Sequence, residues 1–155
     1  MKSSLFFVSS DYILAQEVAT KVANFFDMRI FDTIGMFEFD HSPRKIQEVL
    51  DEFGEEYVNK KMKSVFKMQL DFSDSVLVAD LKYLGQTKTF INLIEKQNLI
   101  IFINSDNSLT SAEKFNKIEL LGSVCDIVVN ARNLNLQQVF DETIYEIKKY
   151  FNIEA

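Results

Sequence analysis

Five short, unbroken apolar runs rich in Val, Ile and Phe punctuate the chain: "SLFFVS" (4–9), "MRIFD" (28–32), "SVLVAD" (75–80), "LIIFIN" (99–104) and "DIVVN" (126–130). Continuous rather than alternating apolar residues describe strands covered on both faces, the pattern of a parallel sheet. The stretches between them carry helical spacing. The clearest is Leu14, Ala15, Val18, Ala19, Val22 and Phe26, at intervals of three and four along one helix face. Strand and helix thus alternate, which predicts an α/β fold with helices on both faces of a parallel sheet and right-handed crossovers.

Helix boundaries follow from capping residues. Ser42 and Pro43 offer an N-cap and a first-turn proline for "PRKIQEVLDEF", and Gly54 closes that helix before "EEYVNKKMKSVFKMQL" begins another. Further helices are expected over 86–97, 111–122 and 136–151. The 155 residues, 47% hydrophobic with four Gly and one Pro, have the size and composition of a single globular domain over 1–155. Repeats, linkers and low-complexity segments are absent from the sequence.

Charge and cysteine usage narrow the function classes. Seventeen Lys+Arg against 23 Asp+Glu give a formal charge of -6, so no basic stripe exists to neutralise a phosphodiester backbone, and nucleic acid is excluded as a partner. The single cysteine, Cys125 in "GSVCDIVV", reads as a packed thiol and rules out an internal disulfide or a cysteine-based metal site. No apolar run approaches 18 residues, and "MKSSLFFVSS" is too short a hydrophobic start for an export signal. A cytoplasmic protein without membrane contact is the expectation.

In open parallel sheets, ligands bind beyond the C-terminal strand ends, so the turn after the first strand matters most. Here it reads Ser9-Ser10-Asp11-Tyr12. A phosphate loop needs Gly-x-x-x-x-Gly-Lys-Ser/Thr, glycines to let backbone amides curl around the anion and lysine and hydroxyl to serve phosphate and magnesium. None of these residues is present, and Ser9, Ser10 and Asp11 read instead as caps of the following helix, with the Asp11 carboxylate taking up its free amides, against an atypical phosphate or metal site.

Four segments nevertheless occur in a telling order. They are "LFFVSS...LAQEVATKVANFFDMRIFDT", "FGEEYVNKKMKSVFKMQL", "SVLVADLKYLG" and "LLGSVCDIVVNARNLNLQQVFDETIYEI". Their order and spacing over residues 5–150 resemble the shikimate kinase family, small P-loop kinases that phosphorylate a hydroxyl of shikimate with ATP. The resemblance implies a three-layer α/β/α, P-loop kinase-like fold with a five-stranded parallel sheet in the order 2-3-1-4-5. It places the phosphate loop at Ser9, Ser10, Asp11 and Tyr12, shortened by about four residues, with Asp11 where the phosphate-binding lysine would stand. Asp32 matches the aspartate that serves the metal and the reaction, making it the candidate catalytic residue.

Other positions depart from that pattern. Ile34 replaces a substrate-binding aspartate, Val58 after Tyr57 stands in place of a substrate arginine, and Ala79-Asp80-Leu81 lie near the family's glycine triplet. The stretch between "INSDNSL" and "KFNKIELL" leaves no room for an arginine-bearing lid. Lys117 aligns with a late substrate arginine, although an ammonium does not reproduce a planar bidentate clamp.

Rival sites each have a plainer reading. Asp80 follows four apolar residues as a magnesium-steadying aspartate does, and with Asp32 and Asp106 it suggests an acidic metal site; strand-end aspartates also simply cap turns. His41, the only histidine, is a candidate general base or a solvated loop residue. Lys60, Lys61, Lys63 and Lys67 form a cationic patch or one helix's wet side. Met36, Phe37 and Phe39 of "MFEF" fall in an expected loop, as a partner or dimer contact or as a cover for the vacated substrate pocket. The leading expectation is a non-catalytic shikimate kinase-like protein that binds a protein partner or itself and needs no cofactor. The alternative is an atypical shikimate kinase using Mg and ATP, or a metal-dependent small-molecule binder.

Overall fold

The computed structural model describes residues 3–84, 87–95, 97–105 and 125–152. Its strands are β1 (Ser4–Ser9), β2 (Arg29–Asp32), β3 (Ser75–Asp80), β4 (Asn98–Asn104) and β5 (Ile127–Asn130). Its helices are α1 (Tyr12–Phe26), α2 (Thr33–Asp40), α3 (Ile46–Phe53), α4 (Glu55–Gln69), α5 (Thr87–Ile94) and α6 (Leu136–Phe151). The sheet order is β2-β3-β1-β4-β5, every pairing parallel. Both the expected fold class and the expected strand order are therefore observed.

Strand residues alternate between two cores. Phe6, Val8, Leu77, Ala79, Ile100 and Phe102 face one core, which α2, α3, α4 and α5 complete. Leu5, Phe7, Val76, Val78, Leu99 and Ile101 face the other, covered by α1 and α6. The three central strands are buried on both faces, so both residue sets must be apolar and the runs read as continuous. The edges are wetter: β5 alternates buried and exposed residues, and Arg29 and Ile30 of β2 are exposed.

At the opposite end of the sheet from the strand C-termini, buried polar groups satisfy one another. Gln69 Nε2 donates to Ser75 Oγ at 2.6 Å, the Ser75 amide donates to Ser4 Oγ at 3.2 Å, and Asn98 Nδ2 donates to the Ile94 carbonyl at 3.1 Å. This network ties the end of α4 to β1 and β3 and leaves no lone buried amide there.

Two boundaries differ from expectation. Met36, Phe37 and Phe39 lie in α2 rather than in a loop. Asp32 caps that helix, while Thr33 and Phe37, four apart, give it a buried edge. Ile34, Met36 and Phe39 spread apolar residues around the rest of it, which hides the helical period. The next helix starts at Ile46, not at Pro43, and Ser42 does not cap it. Its cap comes instead from α2, where Glu38 Oε2 accepts the Ile46 amide at 2.7 Å, while Glu48 Oε1 of α3 itself accepts from the Lys45 amide. Ser42–Pro43 is a cis peptide in the connection between the two helices. Gly54, at φ 91°, ends α3 and opens α4, a conformation that favours glycine. The helix expected over 111–122 lies outside the described residues.

The double-sided core makes a direct stability prediction. Phe66 is fully buried and meets Phe6 and Phe90 edge-on, with ring centroids 5.9 and 4.9 Å away. Phe66→Ala should cost about 3–5 kcal/mol in urea unfolding, whereas Val128→Thr on the exposed side of β5 should stay within about 0.5 kcal/mol.

Candidate functional site

The C-terminal ends of β1, β2 and β3 open to one rim, and the sequence candidates gather there. Two residues, Ser10 and Asp11, separate β1 from α1. Ser9 is buried; its Oγ donates to the Ile103 carbonyl at 2.7 Å and accepts the Asp11 amide at 3.0 Å, pinning the turn to β4. Asp11 then caps α1, its Oδ1 accepting the Leu14 amide at 3.1 Å. A short polar residue before a helical run has this use, and the cap is where the sequence leads one to look. Tyr12, the first residue of α1, is half-buried against the core, and among the described residues its buried hydroxyl oxygen has no hydrogen-bond partner.

Asp32 ends β2 and caps α2. Oδ1 accepts the Ile34 and Gly35 amides at 3.1 and 3.2 Å, and Oδ2 accepts Gln16 Nε2 at 3.0 Å. A Cβ on Gly35 would lie 3.1 Å from that Oδ2, so glycine permits the close approach. Burial raises the Asp32 carboxyl above its ordinary pKa, the two amide bonds counter this in part, and Glu38 adds to the rise. Asp80, at the end of β3, accepts the Lys82 amide at 2.9 Å and caps a 3-10 turn, Leu81–Tyr83.

Register places Asp80 level with Ser9, and Asp32 level with Val78, so the two aspartates stand on neighbouring strands in different rows. Among the described residues no group of three or more His, Cys, Asp or Glu is arranged to hold a metal ion. Asp32 and Asp80 are the described carboxylates through which the proposed metal would have to be held. Asp106 and Lys117 lie outside the described residues.

Carboxylates surround Tyr83 near the rim. Burial raises the Tyr83 hydroxyl above its ordinary pKa, and Asp80, Glu38 and Asp51 add to it; the same hydroxyl donates to Gln47 Oε1 at 3.1 Å. Val58, in the position of the expected substrate arginine, is 1% exposed within the core, and Ala79 and Leu81 are buried beside it.

The remaining candidates separate cleanly. Cys125 is half-buried and its thiol is pushed up by burial, with Asp126 adding to the shift, the opposite of an activated thiolate. His41 is not a solvated loop residue: it is the C-cap of α2, half-buried, with Nδ1 2.8 Å from the Phe37 carbonyl and Nε2 2.8 Å from Tyr57 Oη. Lys60, Lys61 and Lys67 are exposed and Lys63 half-buried along α4, as a helix's wet side requires. Gln16, Glu38 and Tyr57 went unmarked in the sequence because their partners lie 16, 8 and 16 residues away.

No protein-family model and no curated protein sequence matches the chain. Solved structures do. The shikimate kinase of Aquifex aeolicus aligns with a TM-score of 0.79 at 15% identity, over 97% of this chain and 99% of that one. The shikimate kinase of Bacteroides thetaiotaomicron aligns at 0.76 and 10% identity, over 96% and 98% of the two chains. That of Acinetobacter baumannii, solved in complex with shikimate, aligns at 0.74 and 11% identity, over 100% and 96%. The chain has the fold of these P-loop kinases, and among the described residues no helix is long and apolar enough to cross a membrane.

The Asp32 geometry predicts a pH effect with a definite sign. Because folding raises this carboxyl, its contribution to stability is present below the unfolded-state pKa and is lost as pH rises through the raised folded value. Asp32→Asn keeps an oxygen for the Ile34 and Gly35 amides and removes the buried charge. Its Tm at pH 7 should equal or exceed wild type, with the gap closing in acid. Asp32→Ala, which loses the cap, should cost about 1 kcal/mol.

Proposed function

We propose that this chain is a non-catalytic protein built on the shikimate kinase fold, acting through contact with a protein partner or a second copy of itself rather than by phosphoryl transfer. The observation that carries the reading is the two-residue turn between β1 and α1, whose helix N-terminus is capped by the Asp11 carboxylate. Phosphoryl transfer depends on positioning and on cations that neutralise the moving group. A helix N-terminus favours an anion by about 0.3–1 kcal/mol. A like charge about 4 Å away opposes it by about 1 kcal/mol in water and about 4 kcal/mol at an effective dielectric of 20. At this turn the repulsion wins.

Three further features point the same way. The carboxylates acting on Asp32 and Tyr83 make the rim hostile to a triphosphate. Buried Val58 offers no charge to a substrate carboxylate. Ile13 on α1 and Phe39 on α2 are 67% and 82% exposed, and they supply the apolar contact a partner would use.

Melts with MgATP, ADP and shikimate test the reading. A ligand at a hundred times its Kd stabilises by about 2.7 kcal/mol, several degrees in Tm for a chain of this length. No shift is expected with any of the three. An upward shift with nucleotide overturns the non-catalytic reading and returns the atypical kinase, with Mg and ATP as its cofactors. Light scattering at high concentration then tests self-association: a particle of one chain, 18.0 kDa, removes that form of the proposal.

A further inference from the structure

A cavity of about 580 Å³ lies between the C-terminal part of α2 and one flank of α4, within the roughly 300–1,000 Å³ range of small-ligand pockets. Phe37, Val65 and Met68 give it an apolar lining. One wall is rigid. The Phe37 carbonyl can only accept, so His41 Nδ1 carries the proton, and in the neutral ring Tyr57 Oη donates to Nε2. The imidazole also stacks on Phe37, with ring centroids 4.4 Å apart and planes at 16°.

Two opposite charges line the same cavity from different helices. Asp40, on α2, stands at the negative end of that helix's dipole. Lys61, on α4, holds its ammonium 5.6 Å from the centre of the Tyr57 ring, one turn before Ser64. Both are exposed, and among the described residues neither has an ion-pair partner, although each faces the groove. Acid and base left apart across an apolar floor match a molecule that carries both charges itself.

We propose that this groove binds a small zwitterion with an apolar side chain, a free α-amino acid or a short peptide with both ends uncapped. Its ammonium lies at Asp40 and the end of α2. Its carboxylate lies at Lys61 Nζ and Ser64 Oγ, and its side chain rests on Val65 and Met68. Strands β1 and β3 contribute nothing to the lining, so the site goes beyond the non-catalytic reading and stands whether or not nucleotide binds.

Calorimetric titration of the full chain tests it with L-methionine, L-phenylalanine and the dipeptide leucyl-leucine. N-acetyl-methionine, which lacks the ammonium, and methioninamide, which lacks the carboxylate, serve as controls. At least one zwitterion should bind, and each control should bind at least tenfold more weakly. The free amino acids and the dipeptide differ in the span between their charges, so the tighter of the two identifies the source. Lys61→Met and Asp40→Asn, both at exposed positions that leave the fold intact, should each weaken binding at least tenfold, and Lys61→Arg should restore most of it. No heat from any zwitterion at 10-fold millimolar excess, controls that bind equally, or variants with wild-type affinity would each overturn the proposal. A nucleotide-induced shift in Tm bears only on the non-catalytic reading, so the two can fail separately.

Discussion

Burial of β1, β3 and β4 on both faces is the constraint on which the rest of the molecule depends. A parallel sheet with two covered faces leaves its polar business to the ends of the strands, and all five C-terminal ends point the same way. Every helix that starts there has amides without an intrahelical partner. In this chain, strand-end and turn residues supply the missing acceptors: Asp11 for α1, Asp32 for α2 and Asp80 for the 3-10 turn after β3. Each such cap contributes about 0.5–2 kcal/mol. These three carboxylates satisfy the backbone of the chain itself.

That arrangement changes what the rim can do. A carboxylate that accepts backbone amides is held in place but has fewer lone pairs left for a cation, and Asp32 is engaged on both oxygens, by Ile34 and Gly35 on one and Gln16 on the other. The energetic cost of burying it shows in the raised pKa, with Glu38 nearby adding to it. Asp11 is exposed, and its Oδ1 takes up the Leu14 amide at the start of α1. Turn stability therefore draws on the N–H groups at the starts of α1 and α2, with Asp11 and Asp32 as their acceptors.

Legibility in the sequence follows from how local each interaction is. The five strands were readable because double-sided burial demands unbroken apolar runs, and α1 and α6 because each presents a regular stripe to one core. Capping by Asp11 was readable as well, since donor and acceptor are three residues apart. Helix α2 was not, because apolar residues surround it: Phe37 enters the core while Phe39 two positions on is almost fully exposed, and both look alike in sequence. The start of α3 was misplaced because its cap, Glu38, belongs to another helix, and a local rule prefers Ser42 and Pro43. The Gln16–Asp32 bond crosses from one helix to a neighbouring strand end and leaves no sequence mark at all.

The misread α2 is also what gives the molecule its second feature. A loop over 33–40 would leave His41 solvated and its tautomer undetermined. As the C-cap of a helix, His41 instead lies within reach of the Phe37 carbonyl one turn back and of Tyr57 on α4, and the bonds it makes fix the spacing of the two helices. Fixed spacing is what turns a seam between helices into a cavity, because packing would otherwise close it. Tyr57 stands one residue before Val58, which is buried in the core between sheet and helices, so the side chain that anchors α4 inward and the one that holds it off α2 are adjacent. The burial of Val58 and the presence of an acid–base groove on the flank of α4 are thus consequences of one helix orientation: the face turned to the sheet is apolar and closed, and the polar side chains lie on its flank.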